Sequence, residues 1–271
     1  MILIFDLGAT HIRFSVSDGR SIGEVARLDT DATREGFEKW LAEMKAAAGG
    51  QPLEAVVGGM PGELEGDEGR LRLTPNLPQW QGLLVRRQME RMFGCPVYIM
   101  NDVVMCGLGE AFDGAGSNRG VMAYFTVSTG VNAVRLVDGV VDPTIDEFEI
   151  GAQLANVSNE ARGVVTLEGL VGGAATQERH GKHPRDIGDP KLWRMYETTL
   201  ARAVYNTVLY WSPDVIVFGG SMMRDIKVEG IAKYYYRLPQ ILPDRPKLVA
   251  AALGDLAGLH GAVHWWQKHT K

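Results

Sequence analysis

Residues 2–17, ILIFDLGATHIRFSVS, carry the clearest indication of the fold. Its first part is an apolar run that ends at Asp6, and its second part alternates apolar and polar residues, as half-buried strands do. Two such runs around a short glycine-containing turn predict a β-hairpin. At its tip, Gly8 lets the backbone approach a phosphate, Thr10 offers a hydroxyl, and Asp6 can hold a hydrated magnesium ion. Taken alone, this pattern is more typical of a structural turn than of a phosphate site.

A second hairpin of the same kind is predicted in the second half of the chain. Residues 121–127 and 131–137 are Val-rich runs joined at Ser128-Thr129-Gly130. One such hairpin in each half favours a pair of phosphate loops over two unrelated turns. Each half then continues with strands and helices, which predicts an α/β fold with mixed sheets and gives weak support for two related lobes.

Hydrophobic periodicity and turn residues predict the other elements of the chain. Residues 62–80 contain turn residues and no long periodic run. The predicted helices are 33–48, 83–93, 101–112, 167–177, 192–211 and 256–267, and the predicted strands are 55–58, 97–100, 215–218 and 247–252.

Composition excludes several classes of protein. The 271 residues carry a net charge of -5, and no run of Lys and Arg suggests a nucleic-acid footprint. Cys95 and Cys106 are too few for a disulfide scaffold or a four-cysteine zinc site, and both are expected to be inert buried thiols. No apolar stretch approaches the ~20 residues of a membrane span, and the start of the chain lacks a signal-peptide pattern. We therefore expect a cytoplasmic protein without nucleic-acid or membrane partners.

Several short motifs, in order along nearly the whole chain, resemble the ROK family of sugar kinases in the actin–hexokinase superfamily. The resemblance implies a two-lobed actin-like/hexokinase (ribonuclease H-like) ATPase fold, with mixed sheets flanked by helices and a cleft between the lobes. The expected small lobe is 1–113 plus 255–271, and the large lobe is 114–254. Homodimers are common in the family, although no interface is apparent. The matching motifs are residues 4–13, GGMPG (58–62), PNLPQW (75–80), Asn101-Asp102 with Gly109-Glu110, PDVIVFGGS (213–221) and ALGDLAGLHGA (252–262).

The resemblance implies ATP-dependent phosphorylation of a hexose or N-acetylhexosamine, expected at O6, with Asp102 as the general base. An aspartate at a helix N-terminus after a buried strand is held rigidly and is expected to stay ionised. The alternative is a simple helix cap, a task that Asn101 or Asp102 would serve equally well.

The resemblance also implies the residues that bind substrates. For Glu168, and less so for Glu149, a solvated surface carboxylate is the alternative. Asp6 is expected to hold Mg²⁺ through water. The expected sugar ligands are Asn76, Asn101, Glu149 and Glu168, and the expected ATP ligands are Asp6, Gly8, Thr10, Thr129, Gly130, Gly219 and Gly220.

The chain departs from the family pattern at two places. Ala152 and Gln153 stand where many members have a histidine and then a cysteine-rich zinc loop, so no structural zinc is expected. Asn132 replaces a glycine of the second phosphate loop. These departures leave open a catalytically weak sugar sensor, polyphosphate in place of ATP as the donor, and an actin-like ATPase with a non-sugar acceptor. A DNA-binding repressor is disfavoured because no helix-turn-helix pattern precedes the first strand.

Overall fold

The chain is known here through a computed structural model, which describes residues 1–74, 77–116, 120–142, 149–156 and 165–270. These residues form two compact units, one of residues 1–109 and 255–271 and one of residues 110–254. The lobes expected from the sequence, with their boundary after residue 113, stay a prediction. No helix among the described residues has both the length and the apolar character needed to cross a membrane.

The first unit contains a five-stranded mixed sheet. Its strand order is β3-β2-β1-β4-β7; the β1–β2 and β2–β3 pairs are antiparallel, and the β1–β4 and β4–β7 pairs are parallel. The elements of this unit are β1 (Ile2–Leu7), β2 (His11–Ser17), β3 (Ala26–Asp29), α1 (Arg34–Ala47), β4 (Ala55–Met60), β5 (Glu63–Glu65), β6 (Arg70–Leu73), α2 (Val85–Phe93), β7 (Val97–Asn101), most of α3 (Asp102–Phe112) and α8 (Ala257–His269).

Aromatic packing holds helix α1 against the sheet of the first unit. Thr33 caps the helix by accepting a hydrogen bond from the Gly36 N–H at 3.0 Å, as its position before the apolar periodic run predicts. Trp40 on the buried face of α1 lies edge-on to Phe5 of β1 and stacks on Trp80, with ring centroids 5.4 and 5.9 Å apart. Strand β1 is therefore packed on one side against a buried aromatic core.

The sheet of the second unit repeats this topology. Its order is β10-β9-β8-β13-β14, again with two antiparallel pairs followed by two parallel pairs. The elements of this unit are the end of α3, β8 (Val121–Val127), β9 (Val131–Val137), β10 (Val140–Val141), β11 (Leu154–Asn156), β12 (Val165–Thr166), α4 (Leu167–Val171), α5 (Gly173–His180), α6 (Pro190–Trp211), β13 (Val215–Gly219), α7 (Val228–Tyr235) and β14 (Lys247–Ala250).

The long helix α6 forms much of the second core. Asp189 caps its start by accepting a hydrogen bond from the Lys191 N–H at 2.8 Å, and Pro190 occupies the first helical position. Tyr196, Leu200 and Val204, spaced four residues apart, are fully buried against β8 and β13.

The structure differs from the sequence prediction at two segments. Residues 62–80 contain the small hairpin β5–β6, where only turn residues and no long periodic run were predicted; its strands are short, with the sequences ELE and RLRL. The predicted helix 167–177 is instead two helices, because Gly172 has an extended backbone and ends α4 before α5 begins. The α/β class and the mixed, helix-flanked sheets are as predicted.

Candidate active site

In the first unit, three parallel strands bring predicted site residues to one sheet edge. Residues aligned across β1, β4 and β7 are Asp6, Gly59 and Met100, so Asp6 and the segment after Met100 lie at the same carboxyl ends. The carboxyl ends of parallel strands are where α/β proteins bind ligands. This edge therefore carries the predicted metal ligand Asp6 together with Asn101 and Asp102.

Helix α3 begins at Asp102 directly after strand β7. The Val103 N–H lies 2.9 Å from the Oδ1 atoms of both Asn101 and Asp102. Both side chains therefore lie where they can cap α3. The alternative that Asp102 is a helix cap stays open beside its predicted role as a base.

Burial changes the acidity of two carboxyl groups at this edge. It raises the pKa of Asp102 from 3.8 to about 6, although the hydrogen bond from the Val103 N–H opposes the rise. It raises the pKa of Asp6 to about 7; the charge of Asp102 adds to that rise, Arg13 opposes it, and Asp255 adds to it again. Asp102 is therefore mostly ionised at pH 7, although its pKa is higher than a position at a helix N-terminus alone predicts.

The start of helix α8 packs onto Asp6. A Cβ atom placed on Gly258 would lie 2.5 Å from the Asp6 Cγ, so only glycine fits there. Arg13 lies opposite Asp6 in the β1–β2 register and forms an ion pair with Asp255 just before α8. The charges of Asp102 and Asp255 act on Asp6 together with that of Arg13, so carboxyl groups outnumber the one cation around Asp6. Among the described residues, no group of three or more His, Cys, Asp or Glu side chains is arranged to hold a metal ion directly. A Mg²⁺ ion at Asp6 would therefore be held through water, which suits an ion that keeps several of its own waters.

Thr30 holds the tip of the first hairpin by two of its carbonyl oxygens. The Gly8 and Thr10 carbonyl oxygens accept hydrogen bonds from the Thr30 hydroxyl at 2.8 Å and the Thr30 N–H at 2.9 Å. Within the described chain, the tip N–H groups of Ala9 and Thr10 donate to no protein group. Two adjacent N–H groups left over at a turn form a concave anion site.

The second hairpin shows the same arrangement in the second unit. The Ser128 and Thr129 carbonyl oxygens accept hydrogen bonds from the N–H groups of Gly173 and Ala174, at 2.7 and 2.9 Å. In the described residues, the N–H groups of Thr129 and Gly130 have no acceptor. Both hairpins thus offer two backbone donors, as loops that bind phosphate do.

Strand β13 brings the predicted adenosine turn beside the second hairpin. Gly220 has φ +95°, and a Cβ atom there would lie 2.4 Å from the Val127 carbonyl oxygen, so the turn needs glycine. The Ser221 hydroxyl lies 3.1 Å from the Ser128 hydroxyl. Gly219, Gly220, Thr129 and Gly130 are therefore neighbours in the second unit.

The predicted sugar ligands of the second unit lie near this hairpin. Glu168 is exposed, yet its Oε2 accepts a hydrogen bond from the Val131 N–H at 2.8 Å, next to Gly130. Glu149 is exposed and precedes the turn at Gly151, which packs against the Val131 carbonyl oxygen and Glu168. The structure thus brings both glutamate segments to the second hairpin. Asn76 lies outside the described residues.

The two departures from the family pattern have defined surroundings. The Gln153 side chain donates to the Ile150 carbonyl oxygen and accepts from the Asn206 amide, both at 3.1 Å, so it braces its own turn instead of replacing a histidine. The Asn132 Oδ1 accepts a hydrogen bond from the Ala133 N–H at 2.8 Å and lies back along strand β9.

Sequence reasoning missed two residues around the site. Thr30 follows β3, and nothing in the sequence links it to Gly8, 22 residues earlier. Glu110 was noted only as part of a motif; it is fully buried, and its carboxylate accepts from the N–H groups of Ala115, Ala252 and Leu253 at 2.7–3.0 Å. For Glu110, the available signal in the sequence was an acidic residue after an apolar helix face.

The sequence profile of the ROK family matches residues 3–141 and 178–269. The chain belongs to the ROK family. A glucokinase from Thermotoga maritima is 30% identical over 95% of this chain and 94% of its own. The crystal structure of a ROK hexokinase from Thermus thermophilus superposes with a TM-score of 0.77 at 28% identity, covering 97% of both chains. A ROK glucokinase from Streptomyces griseus, in complex with glucose and AMPPNP, has a TM-score of 0.80 at 20% identity, covering 98% and 99% of the two chains.

These similarities confirm the family and the fold expected from the sequence. ROK sugar kinases with the actin-like ATPase fold are the structural neighbours of this chain, and the chain is an enzyme of this class.

Proposed function

We propose that this ROK protein transfers the γ-phosphoryl group of ATP to a hydroxyl, expected at O6, of a hexose or N-acetylhexosamine, with Asp102 as the general base. One observation carries the proposal. Asp102 lies at the carboxyl edge of three parallel strands, at the start of helix α3, and burial raises its pKa to about 6. A base of this strength is mostly ionised at pH 7 and accepts a proton more readily than an ordinary aspartate.

The reaction forms one bond and breaks another. The sugar oxygen attacks the γ-phosphorus, the bond from that phosphorus to the bridging oxygen of ADP breaks, and the hydroxyl proton passes to the Asp102 carboxylate. Little covalent chemistry is left to the protein, so positioning and charge stabilisation dominate. The rigid seat of Asp102, between β7 and α3, suits that requirement.

Backbone amides are the expected grip on the triphosphate. The N–H groups of Ala9 and Thr10, and of Thr129 and Gly130, have no protein acceptor in the described chain. Gly219 and Gly220 are proposed to receive the adenosine. Asp6 is proposed to hold Mg²⁺ through water, an ion that neutralises charge on the transferred group when bound. These four backbone donors would take the place of a Walker A loop, a motif that the sequence does not contain.

The sugar is proposed to bind Asn76, Asn101, Glu149 and Glu168. Because the Asn101 Oδ1 already accepts the Val103 N–H, its amide NH₂ is the part that would donate to a sugar oxygen. One Glu168 oxygen likewise holds Val131, which leaves the other to accept from a sugar hydroxyl. Asn101 and Glu168 would thus join the sugar to a fixed backbone element, which limits its freedom in the complex.

The test is sugar-dependent ADP release by the purified full chain with Mg-ATP. The panel is glucose, fructose, mannose, N-acetylglucosamine and N-acetylmannosamine, with Asp102→Asn as the control for a contaminating kinase. Turnover above about 1 s⁻¹ with one sugar, lost in the variant, supports the proposal. Turnover with polyphosphate alone would replace ATP as the donor. Saturable sugar binding without turnover would indicate a sensor, and neither binding nor turnover would overturn the proposal.

A further inference from the structure

Thr30 binds the first hairpin with two groups at once, its hydroxyl and its backbone N–H. It follows β3 and is partly buried. Its hydroxyl donates to the Gly8 carbonyl oxygen at 2.8 Å, and its N–H donates to the Thr10 carbonyl oxygen at 2.9 Å. The hairpin is closed on its other side by the Gly8 N–H, which donates to the His11 carbonyl oxygen at 2.9 Å.

Because the peptide bond is planar, these contacts also set the direction in which the tip N–H groups point. The carbonyl of one residue and the N–H of the next belong to one trans peptide unit and point in opposite directions. When the Thr30 hydroxyl holds the Gly8 carbonyl oxygen, it therefore aims the Ala9 N–H away from Thr30. The same contact also occupies a carbonyl oxygen that would repel an anion at the tip.

The second hairpin shows that this arrangement is not peculiar to one loop. There the N–H groups of Gly173 and Ala174 hold the Ser128 and Thr129 carbonyl oxygens, which aims the N–H groups of Thr129 and Gly130 outward. In both loops, hydrogen bonds hold the carbonyl oxygens of the tip, and the N–H groups of the tip point outward. In the second unit the brace is made by backbone, and in the first it includes a side chain.

From this geometry we infer that Thr30 is a positioning residue for the donor: its hydroxyl fixes the first hairpin so that the Ala9 N–H receives a phosphate oxygen. The inference rests on the proposed function, because it assumes a phosphorylated donor at the hairpin. It extends that function by one residue that touches neither substrate. It applies equally to ATP and to polyphosphate, since both present the same phosphate oxygens.

The experiment compares Thr30→Val with Thr30→Ser. Valine keeps the shape and the backbone N–H but removes the hydroxyl, and serine restores the hydroxyl. The dissociation constant of Mg-AMPPNP is measured by calorimetry, and the KM values for ATP and for the sugar are measured separately. Thr198→Val is the matched control, because the Thr198 hydroxyl also donates to a backbone carbonyl oxygen, that of Arg194 at 2.9 Å, on an exposed helix face.

We expect Thr30→Val to raise the Mg-AMPPNP dissociation constant and the KM for ATP by about 5- to 30-fold, the effect of one or two kcal/mol of lost hydrogen bonding. The KM for the sugar should change less than twofold, and Thr30→Ser and Thr198→Val should behave like the wild type. Equal affinity in wild type and Thr30→Val, or equal loss of nucleotide and sugar affinity, overturns the inference alone. A wild type that binds neither Mg-AMPPNP nor tripolyphosphate overturns the proposed function and this inference with it.

Discussion

Replacing Asp102 by Asn should abolish catalysis and stabilise the fold at the same time. The carboxyl has a pKa of about 6 in the folded chain against an ordinary value of 3.8. A folded pKa above the unfolded one means that the folded state holds the charge at a cost at every pH above about 6. Asparagine cannot ionise, and its Oδ1 can still accept the Val103 N–H, so the substitution removes the cost and keeps the hydrogen bond.

The size of the effect follows from the shift. A difference of 2.2 pKa units, from 3.8 to about 6, corresponds to an upper limit of about 3 kcal/mol. Because the side chain keeps some contact with water, we expect about 1–3 kcal/mol at pH 7.5. As the pH falls through 6, the wild-type carboxyl takes up a proton in the folded state, so the advantage of the variant should be about half as large at pH 5 and vanish below about pH 4.

Urea unfolding of both proteins at pH 7.5 and pH 5, together with kcat at pH 7.5, tests this reasoning. A general base that is lost should lower kcat by roughly 10²–10⁴-fold with little change in sugar affinity. Asp18→Asn is the control of opposite sign, because hydrogen bonds from Ser21 and Arg20 lower the pKa of Asp18, so neutralising it should not stabilise the fold. An inactive Asp102→Asn protein that is less stable than the wild type would refute the argument that holding the buried charge costs stability. An active Asp102→Asn protein would refute the role of Asp102 as the general base.

Three further results are expected. The kcat of the wild type should fall about tenfold per pH unit below about pH 6, because protonated Asp102 cannot accept a proton; a flat profile from pH 8 to pH 5 would contradict its role. Gly258→Ala should lower kcat at least tenfold, since its Cβ atom would collide with Asp6, while Gly188→Ala, with open space around it, should leave kcat unchanged; equal kcat values in the two variants would contradict the packing argument. Glu110→Gln should lower the free energy of unfolding by about 1–3 kcal/mol, because one of its atoms becomes a donor that faces backbone N–H groups; unchanged urea unfolding would contradict a clamp.

The sequence was sufficient to predict those elements whose structure depends on residues close by in the chain. Thr33 before an apolar periodic run announced helix α1, and the glycine turn at Gly8 announced the first hairpin. The order of short motifs was sufficient to predict the family. The β5–β6 hairpin was missed because its strands, ELE and RLRL, are only three and four residues long, so their regular alternation is too short to stand out among turn residues.

What sequence could not supply was the energetic setting of each site residue. Whether Asn101 or Asp102 caps helix α3 depends on side-chain geometry, and the pKa of Asp102 depends on burial that only the folded sheet provides. Thr30 acts on a loop 22 residues away, and Glu110 on N–H groups 142 and 143 residues away. No single sequence reveals such pairings. The roles assigned to the predicted sugar and nucleotide residues stay predictions until the variants above are measured.

The unequal bracing of the two hairpins bears on how this enzyme can be altered. In the second unit the N–H groups of Gly173 and Ala174 hold the hairpin; any residue but proline at position 174 keeps its N–H, whereas a Cβ atom at Gly173 would lie 2.8 Å from the Ser128 carbonyl oxygen, so this position resists change. In the first unit the brace includes one hydroxyl, and a single codon change removes it. Laboratory evolution towards another phosphoryl donor should therefore accumulate its changes around Thr30 and leave the second hairpin almost untouched.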